Sequence, residues 1–468
     1  MEDWIKRKMG RLKKVAKDRK KSIGIFILLL AFFLGMFAMY GIGVYNDSEQ
    51  YITMHIHREP LYPLFLAFFR VLAGPETGLV FAVIVQNILT VCSIFLLIEY
   101  LRKKFSLNLT GEFVLLVLEL MPHLVTRYVS ALGIFLENSI MSEALCIPLF
   151  QFFLLFTLRM IFGEKKMDWV WSLVFAYLLS MTRGQMMTTI LIWMVAAFLH
   201  FVSARQYKKI LLSVLAVICV FGFRSLTVHT YNYFVTGYFM GNTYGQVNTL
   251  TNVIYACDRD DGEVFEAGSL ERQFFDTFYE EADALMANYR YAKDAPEGAA
   301  AYLEDHHDIL KFQVLESNLS RYYFGLGEVN YYQQSSMSDE MAGMMLRKLL
   351  PACFGQWLYD YLLLCRNGFI RSIAVVNKWI SWTALAIYIA AAGLTVFLFL
   401  KDKKSGAVRV MGLALLFIAA NVCATSLTIM CLSRYMIYGF SLFYMALFLL
   451  AVEWMRGCPL FRKTASVV

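Results

Sequence analysis

Four arginines and a small set of carboxylates stand out against a largely apolar chain. Arg58, Arg127, Arg183 and Arg434 each fall at the edge of an apolar run, and Asp47, Glu49, Glu59, Glu137 and Glu143 fall in the same kind of place. A guanidinium grips phosphate through two parallel, charge-assisted hydrogen bonds. A carboxylate in a partly desolvated pocket can accept a proton from a hydroxyl, its pKa raised by burial and lowered by a nearby arginine. The two residue types together point to chemistry on a phosphate ester. Their position at the ends of apolar runs points to the phosphate of a lipid whose tail stays in the bilayer. Taken singly, each arginine is better explained by snorkelling to headgroups or by pairing with an acid. Four on one face weaken that explanation.

The elements that carry these residues follow from composition. Of 468 residues, 59% are hydrophobic, 16% aromatic and 17% charged, and the mean hydropathy is +0.54. Soluble chains carry roughly 25% charge. Such an excess of apolar side chains excludes a soluble enzyme, a disordered chain and a coiled coil, and indicates an all-α polytopic membrane protein. Apolar runs long enough to cross a bilayer are expected at 22–44, 78–100, 108–130, 140–162, 168–181, 185–203, 209–231, 378–400, 407–430 and 434–455, about ten transmembrane helices with the fifth short. The first follows a segment, 1–21, holding ten Lys/Arg against three acids, which reads as a basic cytoplasmic N-terminus on a retained anchor rather than a cleavable signal peptide.

Alternation from that terminus places Arg102–Lys104, Lys165–Lys166, Arg205–Lys209, Lys401–Lys404 and the tail 456–468 on the cytoplasmic side, and each of these loops is basic, as the positive-inside bias requires. Without the short fifth span the later basic loops would fall on the wrong side. The division is therefore 22–232 for seven spans, with an acidic first outer loop at 45–77, an external domain at 233–377, and three more spans at 378–455. The insert holds 20 Asp/Glu and 10 Lys/Arg, a net of −10, which leaves +17 on the rest of a chain whose total is +7. It reads as mostly helical, with a Ser269 cap opening one helix and others expected over 297–322 and 338–372. Nothing in the charge pattern suggests a nucleic-acid footprint. The nine cysteines show no metal-ligand spacing. Cys257 and Cys353 alone fall in polar sequence, where a disulfide is conceivable but no spacing demands it.

On this topology the first outer loop carries Asp47, Glu49, Tyr51, His55, His57, Arg58 and Glu59, then an amphipathic run after Pro60 suited to lie along the interface. Arg127 ends the third span, Glu137 to Glu143 open the fourth, Arg183 and Gln185 occupy the turn between fifth and sixth, and Arg434 and Tyr435 begin the tenth. His55 and His57 share a face only in extended chain. A divalent metal held there with Asp47 or Glu49 is possible, but a polar loop accounts for the pair more simply, and no cofactor is called for. Glu99, Glu112, Glu119 and Glu453 are read as structural.

In that order the short stretches resemble the GT-C superfamily of membrane glycosyltransferases, which includes protein O-mannosyltransferases and lipid A aminoarabinose transferases. The resemblance rests on Asp47-x-x-x-Tyr51, Arg58-x-Pro-x-Tyr62-Pro63, Ser142-Glu143-Ala-Leu145, Thr182-Arg183-Gly-Gln185 and Ser433-Arg434-Tyr435. The family often has adjacent Asp-Glu in its first loop, whereas Ser48 separates Asp47 from Glu49 here, so either acid qualifies as the base. Gly184 stands where proline is common. The resemblance implies a polyprenyl-phosphate-linked sugar as donor, used on the outer face of a plasma (inner) membrane, with both termini cytoplasmic.

Sugar transfer needs a base, stabilisation of the leaving phosphate, and alignment of the two across the anomeric carbon. Asp47 is the expected base with Glu49 next, and inversion is the expected outcome. Arg183 and Arg434, then Arg58 and Arg127, are expected on the phosphate. Glu143, Gln185 and Tyr435 would support them. Tyr51, Tyr62 and the 60–73 run would line the lipid entrance, and Tyr322, Tyr323 and Trp357 of the insert would shape the acceptor side. The acceptor, whether glycan, lipid or protein, is not legible. Three other readings compete: a polysaccharide polymerase or ligase using a lipid-diphosphate oligosaccharide, a transporter or flippase, and a non-catalytic scaffold.

Overall fold

The computed structural model describes residues 2–129, 133–295, 298–374 and 378–457. Among them the chain is helical throughout, and its one β-bridge joins Gly43 to Ser139. Nine helices among the described residues are long and apolar enough to cross a membrane, so the chain is an all-α, multi-pass membrane protein. Most of the expected tail, from 458 onward, and the end of the insert, 375–377, lie outside the described residues.

Helix α1 (Glu2–Tyr40) runs on from the basic segment into the first span. A short α2 (Ser48–Ile52) and α3 (Leu61–Ala73) follow, then α4 (Pro75–Lys104), α5 (Leu109–Tyr128), α6 (Ser142–Ile161) and α7 (Asp168–Ser180). The bundle continues with α8 (Thr188–Ser203) and α9 (Tyr207–Thr236). The polar domain is built from α10 (Gly245–Ala256), α11 (Leu270–Ala284), α12 (Ala299–Asp308), α13 (Ser317–Gly325), α14 (Tyr331–Ala352) and α15 (Phe354–Ile373). Helix α16 (Lys378–Lys401), α17 (Gly406–Thr428), a one-turn α18 (Ser433–Met436) and α19 (Tyr438–Gly457) complete the bundle.

The spans agree with expectation apart from details that matter to the site. Helix α7 has 13 residues, about 20 Å at 1.5 Å per residue, against the roughly 30 Å of a hydrocarbon core. It is packed between α6 and α8: Thr157 and Ser172 share a 2.5 Å hydroxyl contact, and Trp193 donates to the Trp169 carbonyl at 2.9 Å. Its C-terminal end returns the chain to the polar-domain end of the bundle, as the alternation requires. The last span starts at Tyr438 rather than 434, leaving Arg434 on the separate turn α18. Helix α9 continues to Thr236, beyond the expected start of the insert.

The interfacial run is a helix, α3, that buries Tyr62, Pro63 and Leu66 and exposes Leu64, Phe68, Val71 and Leu72. It folds back on α4 so closely that a Cβ on Gly78 would lie 2.4 Å from the Arg70 Cα. Only glycine permits that approach.

The polar domain has its own core around Phe275, Phe278, Leu310, Val314 and Met345. Ser269 caps α11 as expected, accepting from the Arg272 amide at 3.2 Å. Between α12 and α13 the chain forms a π-helix, Ile309–Glu316. The helix expected over 338–372 is two, broken at Cys353 behind Pro351. Helix α15 spans both bodies, with Trp357 and Leu364 in the domain core and Cys365 and Ile373 in the bundle core. Arg371 on α15 grips Glu304 on α12 through two 2.7 Å bonds. Tyr323 and Trp357 are buried in the domain core and Tyr322 rests against Phe274, so these three build the domain instead of facing the site. Cys257 and Cys353 meet in that core as free thiols.

The expected structural acids each have a partner within the bundle. Glu112 pairs with Lys21 and with Arg102 at 3.5 Å, Glu99 pairs with Lys103 at 2.6 Å, Glu119 accepts from Gln151, and Glu453 accepts from the Ala407 amide at 3.1 Å.

Candidate active site

Two loops are tied together first. The Gly43 amide donates to the Asn138 carbonyl at 2.9 Å, the Ile140 amide to the Gly43 carbonyl at 2.8 Å, and the Ser48 hydroxyl to the Ile140 carbonyl at 2.8 Å. Gln86 and Asn87 on α4 hold the Glu137 carbonyl at 2.8 and 3.0 Å. Beneath, the fully buried His123 and Glu137 pair at 2.6 Å. These bonds fix the 133–141 segment and bring the start of α6 beside the loop after α1. A third link, from the Leu61 amide to the Met181 carbonyl at 2.9 Å, draws the Arg58 segment to the α7–α8 turn.

The result is one cluster. Asp47 accepts from Arg58 at 2.8 Å and from Arg434 at 3.0 Å. Glu143 pairs with Arg183 at 2.5 Å. Tyr51 joins the two pairs, accepting from Arg58 at 3.2 Å and sharing a 2.9 Å bond with Ser142, which in turn accepts from Arg183 at 3.2 Å. The Tyr435 ring lies 5.0 Å from both the Arg183 and the Arg434 guanidinium. Gln185 accepts from Arg183 at 3.3 Å and donates to the Tyr435 carbonyl at 3.0 Å. Tyr62 sits edge-on to Tyr51 at 5.2 Å, behind the cluster.

Three guanidiniums thus meet two carboxylates, an excess of one positive charge. The site is accessible at one end and sealed at the other: the side chains of Asp47, Arg58 and Arg434 are 26%, 23% and 23% exposed, and that of Glu143 is 1% exposed. Burial pushes the Asp47 carboxyl up, but Arg58 and Arg434 outweigh it and hold the group below the usual aspartate value.

Two expected members stand elsewhere. Arg127 donates to the Gly133 carbonyl and lies 4.2 Å from the Tyr40 ring, so it pins the end of α5 and does not join the cluster. The Glu49 side chain is exposed on α2 and forms no ion pair among the described residues, which leaves Asp47 as the first-loop acid within the cluster.

The polar domain contributes a second wall. Lys311, on the π-helix, is 4% exposed. Its ammonium lies 3.7 Å from the Tyr244 ring and 3.9 Å from Glu316, near enough to Asp47 and Arg58 to feel both. Burial pushes its pKa down to about 8. His57 stacks on Tyr244 at 4.3 Å, its ring nitrogens 3.0 Å from the Thr243 and Tyr331 hydroxyls. Burial, then His55, Arg58 and Lys311, push it down to about 3, so it is a neutral hydrogen-bonding group. Tyr244 holds a left-handed backbone, φ 98°, rare outside glycine. Asp339 secures it by accepting from the amides of Tyr244, Gln246 and Val247 at 3.0, 2.9 and 3.2 Å. Strained residues and π-helices both gather at working sites.

The sequence did not single out Lys311, Tyr244 or Arg224. Lys311 is one cation in an acidic insert, and only the fold turns it toward Asp47. Arg224 carried a readable signal, a lone charge deep in an apolar run. It pairs with Glu59 behind Gly184, whose added Cβ would stand 3.3 Å from Glu59 Oε1.

Among the described residues no group of three or more His, Cys, Asp or Glu side chains is placed to hold a metal ion, and the nitrogens of His57 are already engaged. Compared with known proteins, the chain matches no protein-family model, no curated protein and no solved structure.

Proposed function

We propose that this chain is a membrane glycosyltransferase of GT-C type, transferring a sugar from a polyprenyl-phosphate carrier to an acceptor hydroxyl at the polar-domain end of the bundle. The observation that carries the reading is the cluster in which Arg58, Arg183 and Arg434 outnumber Asp47 and Glu143. An anionic headgroup balances that charge, and the lipid-facing side of α3 offers its tail a path beside it. In the plasma (inner) membrane, with both termini cytoplasmic, the reaction takes place on the outer face.

The chemistry is a single displacement. The acceptor oxygen forms a bond to the anomeric carbon as its proton passes to Asp47. The bond from that carbon to the phosphate oxygen breaks, and its electron pair stays on the phosphate. Arg183 and Arg434 meet the growing charge, an electrostatic effect that is large where water is excluded. Attack opposite the leaving group inverts the anomeric centre. Arg58 and Arg434 also restrain Asp47 in the unloaded site. When the phosphate takes up their donors, the restraint on Asp47 relaxes and it becomes a better base. Lys311 and the Tyr244, Tyr331 and His57 group face the acceptor side, with rings to stack on a sugar and hydroxyls to bond it.

Lys311 also gives a lipid-diphosphate donor some support, as a fourth cation facing the same junction. Purified protein supplied with polyprenyl monophosphate sugars and with polyprenyl diphosphate oligosaccharides, with membrane extract as acceptor source, separates the two. Release of polyprenyl monophosphate, lost in Asp47→Asn, is the expected result. Turnover of the diphosphate alone would transfer the reading to a polymerase or ligase, and no turnover of either ends it.

A further inference from the structure

At the opposite, basic end of the bundle a second polar cavity opens, unconnected with the cluster just described. Its volume is about 510 Å³. Four cations from separate parts of the chain line it: Lys104 at the end of α4, Lys404 in the α16–α17 loop, Arg409 one turn into α17, and Arg456 at the end of α19. Glu453 is the one acid among its lining residues, and Glu164 pairs with Lys104 from beside it, which leaves two positive charges uncompensated at its wall.

These cations are set in place rather than splayed into solvent. Arg456 donates to the carbonyls of Phe105 and Ser106 at 2.7 and 3.2 Å. Arg409 reaches the Ile161 carbonyl at 3.5 Å and lies 5.9 Å from the Phe162 ring. Lys104 sits 4.4 Å from the same ring and pairs with Glu164 at 2.7 Å. Glu453 is occupied by the Ala407 amide at 3.1 Å. The Lys404 ammonium has no side-chain partner among the described residues. A positive-inside bias puts cations on this side of the membrane, but it does not gather four of them on one cavity floored by the Phe105 and Phe162 rings.

We infer that this cavity is a binding site for a phosphoryl headgroup, and that an anionic phospholipid fills it. Basic pockets between helix ends hold phosphate headgroups while the acyl chains lie along the adjacent helices. Guanidiniums bind phosphate oxygens through charge-assisted hydrogen bonds. Bound there, one lipid ties α4, α17 and α19 together at the end remote from the cluster. The inference does not depend on the reaction proposed above.

The test uses the full-length protein in detergent and in nanodiscs of phosphatidylcholine, with or without phosphatidylglycerol. Lipid retained on the protein is counted by native mass spectrometry, and thermal unfolding is followed in parallel. Lys404→Gln with Arg409→Gln neutralises the cavity. Lys165→Gln with Lys403→Gln removes the same charge from the same face outside it. Phosphatidylglycerol should be retained over phosphatidylcholine and should raise the unfolding temperature in the wild type and in the control pair. The cavity pair should bind it at least about tenfold more weakly, since each interfacial cation contributes substantially to holding an anionic headgroup. Lys404→Gln alone, in an exposed loop, gives the same direction should the double variant fail to fold. Inorganic phosphate and glycerol phosphate form the other arm: protection by them, lost in the cavity pair, assigns the site to phosphate without a tail, and its absence assigns it to the lipid. Equal losses in the cavity and control pairs, or no preference for the anionic lipid, overturn the inference.

Discussion

Arg434 donates to Asp47 at 3.0 Å across 387 residues of sequence. The same carboxylate takes a 2.8 Å bond from Arg58 on its other oxygen. The acid of the first polar loop is therefore held between Arg58 of the same loop and Arg434 on α18, ahead of the last helix, and a change at any of the three positions is felt by the other two.

Asp47→Asn keeps the shape and removes both the charge and the base. Transfer should fall about 10²–10⁴-fold, the usual worth of a positioned base. Insertion and thermal stability should change far less, because the group is partly exposed. Glu49→Gln, on the solvent side of α2, should leave turnover as it was. Steady-state rates of the two purified variants decide between the acids, and equal losses would remove Asp47 from its special place.

Glu143→Gln should act on stability as well as on turnover. It leaves Arg183 without its charged partner beside a side chain that is 1% exposed. Breaking a buried pair on one side costs about 3–5 kcal/mol. Thermal unfolding should show the loss, and Arg183→Lys should impair donor use more than unfolding, since an ammonium keeps the charge but not the planar fork. A fully active Arg183→Lys enzyme would show that bidentate contact is not used.

Arg127→Ala serves as the negative control for the arginine set. The side chain caps the end of α5 on Tyr40 and Gly133. Donor affinity should be unchanged, with a small loss of stability at most. A selective rise in donor KM would return Arg127 to the phosphate site.

Lys311→Met should stabilise the protein at neutral pH. The wild-type amine titrates near 8 when folded because burial disfavours its charge, and near 10.4 when unfolded. The unfolded chain therefore holds more protons between those values. Stability gains from this group as pH rises from about 8 to 10.4, and below 8 the full penalty remains. The difference between wild type and Lys311→Met should be roughly 3 kcal/mol at pH 7 and should shrink toward pH 10. A difference independent of pH would mean the ammonium is solvated.

Gly78→Ala tests how α3 is seated. The new methyl would meet the Arg70 and Phe69 backbone at 2.4 and 2.5 Å. One of the helices must move, at a cost of about 1–3 kcal/mol. Because Tyr62 on α3 backs Tyr51, turnover should fall along with stability. Unaltered melting would show that α3 is only loosely held.

Some of this was readable from one strand of sequence. Spans of about 20 apolar residues, basic loops at every second connection and a −10 insert are properties of composition and order, so bilayer thickness and charge bias alone fix an all-helical, many-pass chain. Arg58, Arg183, Arg434, Asp47 and Glu143 were visible for a related reason: a charge at the edge of an apolar run stands out against its neighbours.

Which of those charges meet was settled by tertiary contacts. Arg127 and Arg183 look alike in sequence, yet one caps α5 and the other enters the cluster, because the Gly43–Ser139 bridge and the Leu61–Met181 bond steer only the second toward Asp47. Lys311 and Tyr244 left no local trace, since a cation in an acidic helix and a tyrosine in a loop are ordinary until the domain folds over the bundle. Composition and residue order set the membrane frame, through the cost of burying polar groups in hydrocarbon. The folded chain decided the site, because charge pairing depends on angstrom distances between segments hundreds of residues apart, and nothing in their local order encodes those distances.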